Sequence, residues 1–169
     1  MLGPFIHAEV GDTVKIVFKN MAVFNSYSIH PHGVLYNKAS EGSRYNDGVN
    51  ETGVVAPGET YTYNWFVPPR AGPSETESNC VVWSYYSCVN CRADPYAGLT
   101  GPMVVCRDGV LGEDGRRTDV AHEYVLQFYI YEEGKSPYFQ ENIDTYCLTP
   151  EAVNRGDPTF RESNRMHSK

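Results

Sequence analysis

The residues best suited to chemistry are two histidines one position apart, in His30-Pro31-His32-Gly33. On a strand, residues i and i+2 project from the same face, so two imidazoles can reach one metal ion or two neighbouring ones. Imidazole suits copper, zinc and iron. Gly33 lets the backbone turn away or come close behind the ligands. The same pattern also describes two surface histidines on a strand. Five cysteines, Cys80, Cys88, Cys91, Cys106 and Cys147, leave at least one thiol unpaired within the chain. Cys88-Val89-Asn90-Cys91 reads as a local disulfide or as two thiols. A redox motif would place its first cysteine at a helix N-terminus, whereas Arg92-Ala93-Asp94-Pro95 reads as a loop. A zinc site would need a second such pair or two histidines, and none is close in sequence.

The remaining polar residues carry weaker signals. Glu132, Glu133, Glu141 and Asp144 fall near an expected strand end or loop and read as a solvated face rather than as oxygen ligands for a hard cation. His122 and Glu123 have no partner at metal spacing. Asn50-Glu51-Thr52 is a glycosylation sequon, meaningful only in a secreted chain. No phosphate-binding loop, dinucleotide fingerprint or nucleophile elbow is present.

The elements that must position the histidines are strands. Phe5–Val10 and Thr13–Phe18 alternate apolar and polar residues around a Gly11-Asp12 turn. Tyr27–Leu35 is a third extended stretch and carries the histidines. Pro57-Gly58 leads into Thr60–Val67, the cleanest strand, which Pro68 and Pro69 end. Cys80–Tyr86, Pro102–Cys106 and Glu123–Tyr131 complete about seven short strands, the mark of an antiparallel sandwich. No long amphipathic helix is evident.

The 169 residues fit one domain, and the net charge of −7 argues against nucleic-acid binding, which needs clustered Lys and Arg. No apolar run approaches the ~20 residues that span a bilayer, so the chain is not expected to insert into a membrane. Met1 runs directly into a strand-like segment with no signal peptide, which suggests a piece of a larger polypeptide.

The ordered segments LGPFIHAEVGDTVKIVFKNMA, YSIHPHGVLYNKASEG, PGETYTYNWFVP, GLTGPMVVCRDG, ENIDTYC and ESNRMHS resemble the ceruloplasmin, hephaestin and coagulation factor V/VIII family. The resemblance runs from Leu2 almost to Lys169. It implies an all-β, cupredoxin-like Greek-key β-sandwich, one of several domains in an extracellular protein. Residues 1–150 would form the domain and 151–169 a linker toward a following one. It further implies copper as the parent protein's cofactor, neighbouring cupredoxin domains as partners, and iron(II) and dioxygen as substrates. The alternative is a non-enzymatic interaction module, as in the coagulation cofactors.

Residue by residue, the resemblance is more restrictive. His30 and His32 match one metal-binding pair of the family. A second pair belongs shortly before the GL-x-GP segment, and there the chain has Tyr86-Ser87-Cys88. The family's trinuclear cluster takes histidines from two domains, and the five here (His7, His30, His32, His122 and His167) cannot build it alone. A blue-copper site takes a cysteine, two histidines and usually a methionine. At the corresponding offsets after Cys91 stand Tyr96 and Gly101, and Met103 reads as a core residue. The resemblance therefore points to a scaffold domain with His30 and His32 as candidate metal ligands. It pairs Cys80 with Cys106 in an intradomain disulfide, which implies an oxidising compartment and favours glycosylation at Asn50.

Overall fold

Alternating β-branched and aromatic residues build the first pair of strands. A computed structural model describes residues 2–45, 47–48 and 52–167. In it β2 (Thr13–Lys19) and β4 (Thr60–Phe66) form an antiparallel ladder over their whole length, from Thr13 opposite Phe66 to Lys19 opposite Thr60. Tyr63 and Trp65 of β4 point inward and are fully buried. Asn64 between them and Phe66 after them face solvent, as a period of two requires.

The facing sheet has the order β1-β6-β5-β3, with β1 at Ile6–Glu9, β3 at His30–Pro31, β5 at Cys80–Tyr86 and β6 at Thr100–Cys106. Met103 and Val105 of β6, Tyr85 of β5 and Ala8 of β1 meet Tyr63 and Trp65 in the core. Strand β6 is buried along its whole length, because its other face is covered by Val110, Leu111 and Val125 packed on Val104, Cys80 and Cys106. Pro102 is tolerated inside β6 because its partner Ser84 turns its carbonyl toward the other side, where it accepts from the His32 N–H at 3.0 Å. No ladder bond to β5 depends on the missing proline N–H.

The sandwich is all-β, as the strand pattern indicates, but not wholly antiparallel. β1 runs parallel to β6, with Ile6 opposite Met103. Turn signals specify only neighbours in sequence, and this pairing joins segments far apart in the chain. The third extended stretch shrinks to the two residues of β3. Around it, single bridges tie Tyr27 to Val55 and Leu35 to Phe66.

Downstream the chain departs further from the expected pattern. In the Glu123–Tyr131 stretch only the last two residues enter a strand, β7 (Ile130–Glu132), which pairs with β8 (Arg165–His167). Residues 123–129 keep the alternation without a ladder. Tyr124, Leu126 and Phe128 are 82%, 77% and 83% exposed, while Val125 packs inward. Periodicity fixes which face is apolar, but a ladder also needs a partner edge. Glu141 and Asp144, read from sequence as strand end or loop, lie on α1 (Phe139–Tyr146). A second helix, α2 (Pro158–Ser163), starts at Asp157, whose carboxylate accepts from the Thr159 N–H at 2.8 Å, with Pro158 in the first helical position.

Candidate metal centre

Strand β3 aims the two histidines. His30 lies opposite Tyr86 and Pro31 opposite Tyr85 in the antiparallel ladder with β5. Pro31 points into the core, so His30 and His32 share the other face. Their rings sit 5.7 Å apart, nearly perpendicular. Gly33 ends the strand with φ of 85°, and a Cβ there would fall 2.5 Å from the Trp83 ring. Both the left-handed backbone and the close approach require glycine.

Each imidazole already has a partner. Nδ1 of His30 donates to the Glu41 carbonyl at 2.7 Å. That bond fixes the tautomer and leaves Nε2 as an acceptor, the arrangement that orients metal-bound histidines. Nε2 of His32 lies 2.9 Å from the Tyr86 hydroxyl. We assign the phenol as donor, which places the His32 proton on Nδ1. Burial, and then the nearby His30, lower the His32 pKa and favour the neutral ring this bond needs. The Tyr86 ring forms a triangle with them, 5.6 Å from His30 and 5.2 Å from His32, and Tyr36 packs edge-on against His30 at 5.7 Å. Burial raises the Tyr36 pKa, with contributions from Glu41 and Tyr86.

The donor set is incomplete for copper. His30 offers one free ring nitrogen, and His32 could offer Nε2 only if Tyr86 withdrew. Among the described residues no group of three or more His, Cys, Asp and Glu is gathered as a metal ion would need. Cys88 and Cys91 are joined to each other, so neither is a free thiolate. Met103 is fully buried in the core. These residues do not by themselves fit a multicopper site.

Other residues of interest fall elsewhere. Cys80 and Cys106 are bridged across β5 and β6, directly opposite in the ladder, and Cys147 is free. Asn50 lies outside the described residues. Glu123, which has no metal partner by spacing, pairs with His7 on β1 at 2.6 Å and with Arg117 at 3.6 Å. Arg117 holds Asp119 through two bonds, and Asp119 is pushed down to about 2 by that guanidinium and by Asn79. Glu132 pairs with Lys135 and Arg165, and Asp144 with Arg155. The sequence pointed to Tyr86 only as a missing histidine. It gave no signal for Glu41, whose contribution is a backbone carbonyl.

A sequence profile of the multicopper oxidases matches residues 1–110, the sandwich and its two histidines. The chain belongs to the multicopper oxidase family. The human protein named Ferroxidase HEPHL1 is 42% identical over 172 residues, covering 99% of this chain and 15% of that protein. Human ceruloplasmin is 39% identical over 176 residues, covering 99% of this chain and 16% of that protein. The chain thus spans 15–16% of the length of these two relatives. The crystal structure of a blue copper oxidase from Nitrosomonas europaea superposes with a TM-score of 0.57 at 23% identity, over 79% of this chain and 37% of that one. It supports the cupredoxin-type fold.

Proposed function

We propose that this multicopper oxidase domain is a structural unit of a larger extracellular ferroxidase. The parent protein would couple oxidation of iron(II) to reduction of dioxygen at copper sites in neighbouring cupredoxin domains. The observation that carries this reading is Tyr86, which stands where a histidine would complete the metal-binding set and is hydrogen-bonded to His32. His30 and His32 then serve as a packed, hydrogen-bonded anchor for the end of the sheet. If they take a metal, Tyr86 must first release His32. Two disulfides favour an oxidising compartment, and among the described residues no helix is long and apolar enough to cross a membrane. Residues 1–150 as the domain, 151–169 as a linker, and a glycan on Asn50 belong to the same proposal.

The test is metal analysis of the intact protein together with anomalous scattering at the two side chains. Copper elsewhere with none at His30 and His32 is the expected result. A metal bound by both imidazoles overturns the structural role. Copper loading of this chain should give no intense blue charge-transfer band.

A further inference from the structure

The Cys88–Cys91 disulfide sits where the two segments that hold the histidines meet. Ser43 forms an isolated parallel bridge with Cys88. Two residues before Ser43 is Glu41, whose carbonyl holds His30, and two residues before Cys88 is Tyr86, whose hydroxyl holds His32. Ser28 ties the segments further: its hydroxyl donates to the Gly42 carbonyl at 2.5 Å and accepts from the Cys88 N–H at 3.0 Å. A change in the Cys88 backbone therefore reaches both imidazoles through one shared junction.

The two disulfides differ in access. Cys80 and Cys106 are 8% and 0% exposed and are held opposite each other by the β5–β6 ladder whether or not they are bonded. Cys88 is 5% exposed, but Cys91 lies open on the loop surface. The Ser43 hydroxyl lies 3.3 Å from Cys88 Sγ, placed to donate to a thiolate formed there. A cysteine to attack on an exposed loop position and a stabilised sulfur to leave both favour thiol–disulfide exchange.

We propose that Cys88–Cys91 is a thiol-exchange site whose opening loosens the partners of His30 and His32. The co-reactant is a dithiol reductant, small or borne on a protein. One of its thiolates attacks Cys91 Sγ, forming a mixed disulfide as the bond to Cys88 Sγ breaks. Cys88 leaves as a thiolate beside Ser43 and takes up a proton. The reductant's second thiol then displaces Cys91, which also takes up a proton, and departs as an intramolecular disulfide. Two electrons and two protons pass from reductant to protein. The step does not depend on metal binding at the histidines.

The test titrates the intact protein with dithiothreitol, traps thiols by alkylation and maps them by peptide mass spectrometry. In parallel, imidazole resonances are followed by NMR. Cys88 and Cys91 should open at a reductant concentration about tenfold or more below that for Cys80 and Cys106. The His30 and His32 signals should shift at that step while those of His122 stay fixed. The variant Cys91→Ser should show the shifted His30 and His32 signals without reductant, and Ser43→Ala should slow the opening. Opening of Cys80–Cys106 at the same or lower concentration overturns the proposal. So does selective opening of Cys88–Cys91 that leaves both histidine signals unmoved.

Discussion

The sandwich before residue 110 and the segment after it differ in how they are held. The first has two facing sheets over a shared core of Tyr63, Trp65, Met103, Val105 and Ala8. Of the buried apolar side chains in the described residues, only Phe139 and Ile143 lie beyond Cys106. The later segment relies on the short β7–β8 ladder, two short helices and ion pairs such as Glu132 with Arg165. Its apolar residues are largely displayed: Tyr124, Leu126, Phe128, Tyr146 and Leu148 are all exposed. Buried area sets stability. The difference teaches that one chain can carry a densely packed two-sheet core beside a strand-like segment that lends it only an inward residue such as Val125 and leaves its other apolar face uncovered.

Replacing Trp65 with alanine tests the strong side of that contrast. It empties the centre of the core and leaves the Ser40 carbonyl without its indole donor, now at 2.9 Å. The loss should be about 3–5 kcal/mol, read as a fall in the denaturant midpoint. Removing both Cys80 and Cys106 as alanines should lower stability by about 2–4 kcal/mol, chiefly by freeing the unfolded chain.

Phe139→Ala probes the weaker region. A loss of about 1–2 kcal/mol is expected, with faster amide exchange in α1 and α2 and unchanged protection in β5 and β6. Equal acceleration in both regions would mean that the two are held equally. Leu126→Ser should change stability by no more than about 0.5 kcal/mol, because the side chain is 77% exposed.

A pH titration sharpens the contrast at the histidine end of the sandwich. His32 is held below its ordinary value of 6.5, so the folded state binds fewer protons there than the unfolded one. Its contribution is present above pH 6.5 and is lost as pH falls through the folded value. His32→Phe should flatten that acid-side decline in the melting temperature. His30→Gln removes the neighbouring charge and should move the His32 titration midpoint part of the way back toward 6.5, with burial still holding it below, followed by NMR.

Much of this was legible in the sequence. Alternation in Thr13–Phe18 and Thr60–Val67 located β2 and β4, because a half-buried strand must alternate. Spacing put His30 and His32 on one face, because strand side chains repeat every two residues. The same rule overreached at Glu123–Tyr131, where the faces alternate but only β7 finds an edge to pair with. The motif gave Gly33 a reason to be glycine, and the fold supplied the obstacle, the Trp83 ring.

The sequence by itself determined an all-β chain, the faces of its strands, and a histidine pair without its full complement of partners. Those are properties of local periodicity and residue chemistry. Only the tertiary structure decided that β1 runs parallel to β6, that the Glu41 carbonyl and the Tyr86 hydroxyl occupy the two imidazoles, and that His7 meets Glu123. Each joins groups far apart in the chain or uses a backbone atom common to every residue. Neither leaves a trace in spacing or composition.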